Sequence, residues 1–121
     1  MAGVPFYSRG WAGVGSAGNG LYQPATGAAP GTWEPGAEDY KMVKALLGAG
    51  YTRYDDVRAG ASWLYNPATG IFWTLDDPSV LLAKAVLARA TGLGGIMFWE
   101  LSGDTADGEL VRALARGLGT D

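Results

Sequence analysis

Three features of the sequence predict an α+β fold. The first is an uninterrupted apolar run, Ile96 to Trp99, of the kind found in a parallel strand covered on both faces. The second is a helix start at Asp76-Asp77-Pro78 that feeds into that strand. The third is a long glycine-rich stretch between an amino-terminal aromatic run and that helix, holding a β-hairpin and a helix of its own. The order strand, long insertion, helix, strand, helix is that of two βα units with an inserted α+β lobe. A chain of 121 residues holds this in one unit and is too short for two ordinary domains.

Taken in order, Gly3 to Arg9 (GVPFYSR) reads as a strand closed by Gly10, with Pro5 placing it at an edge or at its own start. Trp11 to Pro35 reads as long loops and short strands. Ala37 to Leu47 carries Ala37, Tyr40, Val43 and Leu47 at helical spacing, with Glu38 and Asp39 in the first turn, Lys44 near the end, and Gly48 and Gly50 as the stop. Ser62 to Leu75 (SWLYNPATGIFWTL) reads as a hairpin turning at Asn66 to Gly70. An earlier segment, Tyr22 to Gly27 (YQPATG), echoes Tyr65 to Gly70 (YNPATG) and is expected to reuse the same turn. After Asp77, a helix with Val80, Ala83, Leu87 and Ala90 along one face runs to Gly92, followed by the strand at Gly94 to Leu101. Asp107 is placed to cap a last helix bearing Leu110, Val111, Leu114 and Leu118, with a frayed tail after Gly117.

Composition excludes several chemistries. The chain has no His and no Cys, so imidazole-based triads, thiolate nucleophiles, zinc fingers and disulfides are all out. Carboxylates, with Tyr, Lys and Arg as helpers, remain for acid and base work; neither a metal nor a cofactor is expected. A net charge of −3 with nine scattered Lys and Arg residues disfavours a nucleic-acid partner. No apolar stretch is long enough to span a membrane, and no basic region followed by an apolar one opens the chain, so a secreted role is expected to need a removed leader or a larger parent. A loop at the carboxyl end of a parallel strand is where folds of this kind place their sites.

Three segments then resemble a known family: Gly3 to Trp11 (GVPFYSRGW), Tyr51 to Leu75, and Gly94 to Asp104 (GGIMFWELSGD). Together they are similar to the carboxyl-terminal portion of family 18 glycoside hydrolases, the chitinases, over almost the whole chain. The resemblance implies two βα units from the last quarter of a TIM barrel: residues 1–11 and 76–121 as barrel-derived segments, and residues 12–75 as the chitinase insertion domain. It implies chitin or N-acetylglucosamine oligosaccharides as ligand and an extracellular location for the parent family. It also carries over a sugar-binding wall, with Tyr7 and Arg9 at the end of one strand and Trp99 as the aromatic floor beneath the sugar. The family's D-x-x-D-x-D-x-E signature, whose last Glu is its acid and base, is not present, and Ser8 stands where the family usually has Gly.

Each residue also has a plainer reading. Trp99 ends a buried apolar run and fits a core position; Arg9 fits an ion pair with Glu100 or with an acid of the inserted lobe. Trp11, Trp63 and Trp73 fit packing of the hairpin and loops, whereas Trp33 beside Glu34 in a glycine-rich loop is the choice for an extended sugar-stacking track. Asp104, Asp107 and Glu109 imitate part of the missing signature, but their place at a helix start reads as capping. Glu100, just past the strand, is the candidate general acid if the chain hydrolyses anything. Two parallel strands cannot close a barrel, so a homodimer or higher homo-oligomer is expected to cover their open edges. The function expected is that of a chitinase-related carbohydrate-binding protein with family-type catalysis absent or reduced. The alternatives are a small glycan hydrolase assembled by oligomerisation through Glu100 or the Asp104 to Glu109 acids, and an inactive structural piece.

Overall fold

The computed structural model describes residues 1–120. Strand β1 (Ala2–Pro5) opens the chain and pairs in parallel with β8 (Ile96–Trp99), Ala2 facing Ile96 and Pro5 facing Trp99. Strand β2 (Tyr7–Ala12) follows after a bend at Phe6 and belongs to a different sheet. That sheet is antiparallel, with the order β3 (Gly27–Ala28), β2, β7 (Ile71–Leu75), β6 (Ala61–Asn66), β5 (Thr52–Asp56); β4 (Ala37–Asp39) also pairs with β2. The single strand expected over Gly3 to Arg9 is therefore two, because Phe6 hands the chain from the parallel pair to the antiparallel sheet. The Phe6 N–H donates to the Trp99 carbonyl at 2.7 Å, while the Phe6 carbonyl accepts from Tyr40 N–H at 3.0 Å.

The helix expected over Ala37 to Leu47 is shorter. Ala37–Asp39 is β4, in register with Arg9 to Tyr7, and only Tyr40–Lys44 forms α1. Non-local pairing thus takes Glu38 and Asp39 out of the helix that their charge predicts. The hairpin β6–β7 forms as expected: Asn66 Oδ1 accepts from Ala68 N–H at 2.9 Å and Gly70 takes a positive φ of 68°. Its echo at Tyr22–Gly27 does not repeat the turn. Gln23 turns its longer amide to the Leu21 carbonyl, and Gly27 enters β3.

Helix α2 (Pro78–Ala90) starts as the sequence predicts, with the Asp77 carboxylate accepting from Val80 N–H at 3.1 Å. Its buried face is Val80, Leu81, Ala85 and Ala88, however, and of the expected stripe only Val80 is buried; Ala83, Leu87 and Ala90 are exposed. Helix α3 (Glu109–Leu118) selects that face. Gly117 lies so close to α2 that a Cβ there would sit 2.5 Å from the Ala85 Cβ. The cap of α3 is Asp104, not Asp107: its two carboxylate oxygens accept from Leu110 and Val111 N–H, both at 3.0 Å. Asp107 instead binds Thr105 and Arg112, which together hold its carboxyl down to about 2. The helix continues past Gly117 to Leu118, where fraying was expected.

Burial of Asp77 alone would raise its pKa, but hydrogen bonds from Ser79, Arg53 and Val80 N–H hold it below the ordinary carboxylate range. A lowered folded value stabilises the protein above the unfolded pKa of about 4, and this is lost as the pH falls through the folded value. Asp77→Asn keeps a side chain able to cap α2 but gives up the charged partner of Arg53, and is expected to cost about 1 kcal/mol in urea unfolding at neutral pH. The gap between variant and parent should narrow as the pH falls through the lowered folded pKa of Asp77 and the carboxylate is protonated.

One core cluster joins both sheets and all three helices, through Val4 and Phe6, Tyr40 and Val43, Leu64, Trp73 and Leu75, Leu81 and Ala85, Leu110 and Leu114. Two polar contacts brace it from outside: the Tyr40 hydroxyl donates to Glu109 at 2.5 Å and Lys44 Nζ reaches the same carboxylate at 2.7 Å, tying α1 to α3. Burial, then the Glu109 carboxylate, raises the Tyr40 pKa well above the usual phenol range, so its proton stays in that bond. Strand β8 is covered on one face only, contrary to expectation: Ile96 and Phe98 are half-buried, whereas Met97 and Trp99 are 53% and 66% exposed.

Candidate functional site

A cleft of about 590 Å³ opens where β1 and β8 end and β2 and β4 lie side by side. Its base rests on Phe6, stacked on Phe98 with ring centroids 4.4 Å apart and planes 8° from parallel. Trp99 projects from the last position of β8, and the Trp99–Glu100 peptide that follows is cis. Alternation along β2 turns Tyr7 and Arg9 to one side and buries Ser8 on the other, where its hydroxyl has no partner.

Tyr7, Arg9, Trp33, Glu34, Trp99 and Glu100, the six residues singled out from the sequence, all line this cleft. Arg9 pairs with Glu34 at 3.5 Å, an acid of the inserted lobe, and not with Glu100. Its guanidinium also sits 5.4 Å from the centre of the Tyr7 ring, and the Arg9 backbone N–H donates to Thr74 Oγ1 at 2.9 Å. Trp33 is 80% exposed, and its indole N–H donates to Asp39 Oδ2 at 3.4 Å. Glu100 accepts from the Ser102 hydroxyl, and Lys41 Nζ donates to the Ser102 carbonyl at 2.6 Å. Of the other tryptophans, Trp63 and Trp73 are buried, and Trp11 packs edge-on against Phe72.

Phe6, Glu38, Asp39 and Ser102 also line the cleft and escaped the sequence reading. Phe6 lay hidden inside one expected strand. Glu38 and Asp39, ahead of an apolar repeat, carry the signal of a helix first turn, and only pairing with a strand some thirty residues away moves them to the cleft wall. No local signal distinguishes the two outcomes.

Chemically the cleft offers exposed aromatic faces, carboxylates able to accept hydrogen bonds, and one guanidinium. Aromatic faces flanked by hydrogen-bonding groups suit a ligand with a flat apolar side and polar edges. Among titratable groups, Glu100 stands next to Trp99 and outside any ion pair found among the described residues.

Residues 1–104 match the family model described as glycosyl hydrolases family 18. Chitinase A1 of Niallia circulans is 47% identical over 107 residues, an alignment covering 86% of this chain and 15% of that protein. Chitinase 63 of Streptomyces plicatus is 42% identical over 120 residues, covering 98% and 18% respectively. Among solved structures, chitinase ChiA74 from Bacillus thuringiensis superposes with a TM-score of 0.87 at 36% identity, over 96% of this chain and 22% of that one. The chain thus spans less than a quarter of the length of each of these relatives.

Proposed function

The chain belongs to glycosyl hydrolase family 18, and from that premise we propose that its cleft binds chains of β-1,4-linked N-acetylglucosamine. The observation that carries the reading is the convergence of Tyr7, Arg9, Trp33, Glu34, Trp99 and Glu100 on one cleft. In this reading β1 and β8 correspond to the last two strands of a TIM barrel and residues 12–75 to the insertion domain. Trp99 lies under a pyranose ring, Tyr7 and Arg9 meet its polar edge, and Trp33 with Glu34 extend the contact along the chain. Sugar rings present axial C–H groups on one face and hydroxyls at the rim, which matches an aromatic floor with polar walls.

Catalysis is a separate matter. Substrate-assisted hydrolysis of this kind needs one carboxylic acid to protonate the leaving oxygen while the acetamido group attacks. The D-x-x-D-x-D-x-E segment that supplies this acid in the family does not occur in these 121 residues. Glu100 is the acid in the cleft that a second reading would use, and its position beside Trp99 favours it over Asp104, Asp107 and Glu109, which cap and brace α3. A second copy closes the open edges of β1 and β8 in either reading.

The test is titration calorimetry with N-acetylglucosamine tetramer, run beside an assay for released reducing ends and sedimentation of the free protein. Saturable binding with no release above buffer is the expected result. No binding would remove the proposal. Release that disappears in Glu100→Gln would replace it with the hydrolase reading, and a monomer throughout would remove the second copy.

A further inference from the structure

The position of Trp33, 80% exposed at the cleft, raises the question of what holds it there. Its loop is pinned at the neighbouring residue. Glu38 Oε2 accepts from both Thr32 N–H at 2.9 Å and Thr32 Oγ1 at 2.8 Å. The other oxygen of the same carboxylate accepts from Asp39 N–H at 3.1 Å, which fixes the rotation of the group. Asp39 in turn takes the Trp33 indole N–H. Glu38 is registered opposite Ser8 in β2, whose flanking residues Tyr7 and Arg9 form the facing part of the cleft. The Glu38 carboxylate therefore connects the loop bearing one aromatic platform to the strand pair bearing the opposing contacts, beside the longer Arg9–Glu34 contact at 3.5 Å.

We propose that Glu38 is a positioning residue for ligand binding: it sets the Thr32–Trp33 loop at a fixed distance from the Tyr7 and Arg9 wall, so that Trp33 meets the sugar chain already in place. This rests on the reading of the cleft as a sugar site. Hydrogen bonds to an ionised acceptor are shorter and stronger than neutral ones, and two from one residue restrain both its backbone and its side chain. Without them the loop keeps two backbone bonds, Gly36 N–H to the Ala29 carbonyl at 2.7 Å and Ala37 N–H to the Glu34 carbonyl at 3.3 Å, and two long side-chain contacts, Trp33 to Asp39 at 3.4 Å and Arg9 to Glu34 at 3.5 Å. The backbone bonds close the loop's base, and the two side-chain contacts, beyond the usual N–H···O range, hold its tip only weakly. A ligand would then have to order Thr32 and Trp33 on arrival, at a cost in affinity of about 3- to 10-fold.

Two measurements test it. Amide exchange at Thr32, followed by NMR, reports the anchor without ligand: exchange should quicken about tenfold or more in Glu38→Ala, since one local opening replaces another, while the β2–β4 ladder amides stay as in the parent. Thr32→Val, which keeps the N–H contact, should show a smaller change of the same sign. An unchanged Thr32 rate would overturn the anchor. The second measurement is a double-mutant cycle on tetramer affinity with Glu38→Ala and Trp33→Ala. If Glu38 acts through Trp33, its removal weakens binding in the parent and has no further effect once Trp33 is gone. Equal losses in both backgrounds would overturn the positioning role, leaving Glu38 a general support. A parent protein that binds no tetramer defeats the sugar reading and the positioning role with it, while the exchange data still decide whether Glu38 anchors the loop.

Discussion

Trp99→Ala is expected to weaken binding of N-acetylglucosamine tetramer by roughly 30-fold, about 2 kcal/mol, the loss typical of a central aromatic anchor. The ring is 66% exposed at the end of β8, so its removal takes away contact area for a ligand and little from the core. Thermal unfolding should accordingly stay near that of the parent. Trp99→Phe keeps a flat ring and should recover most of the affinity. Calorimetry on the three proteins measures the effect. If Trp99→Ala leaves affinity intact, the floor of the cleft is not where the sugar rests.

Phe6→Ala is expected to produce the largest loss of stability, about 3–5 kcal/mol, lowering the melting temperature by roughly 10 °C or more. Phe6 is fully buried, stacks on Phe98, and forms the bend that passes the chain from one sheet to the other. Its backbone is bonded to β8 on one side and to α1 on the other, and Gly103 packs so tightly over it that a Cβ there would lie 2.2 Å from the Phe6 carbonyl oxygen. The surroundings are too closely tied to collapse into the space left by the ring, which puts the cost at the upper end. Phe6→Leu should retain a good part of the stability in the same denaturation experiment.

Much of the fold was legible where local chemistry decides it. Asp77-Pro78 starts α2 and Asn66 and Gly70 turn the hairpin, each through contacts within a few residues, and the apolar run Ile96 to Trp99 marks a strand whose partner is the distant β1. The readings that failed depended on distant partners. Ala37 to Asp39 has the charge pattern of a helix start and becomes a strand because β2 lies alongside. The apolar side chains of α2 offer more than one possible stripe, and the glycine of α3 at position 117 chooses among them. Tyr22 to Gly27 shares five of six residues with a true turn, yet a longer amide at Gln23 and a pairing strand at Gly27 lead the backbone elsewhere. At the cleft, the residues carried by the family resemblance were found together, while Phe6, Glu38 and Asp39 were not legible, because strand pairing and a bend bring them there.

The tie between α1 and α3 has a mechanical meaning. A polymer held in the cleft as proposed would pull on the Trp33 loop, which is tied to Glu38 and Asp39 of β4, and β4 runs without a break into α1. From α1 the load passes through Tyr40 and Lys44 to Glu109, and so into α3 and the helix packed beneath it. A long side chain that imitates a leftover catalytic acid in the sequence is, in the folded protein, the buttress behind the wall. Force applied along a chain bound as proposed would thereby pass into the packed pair α2 and α3 and not stop at a loop.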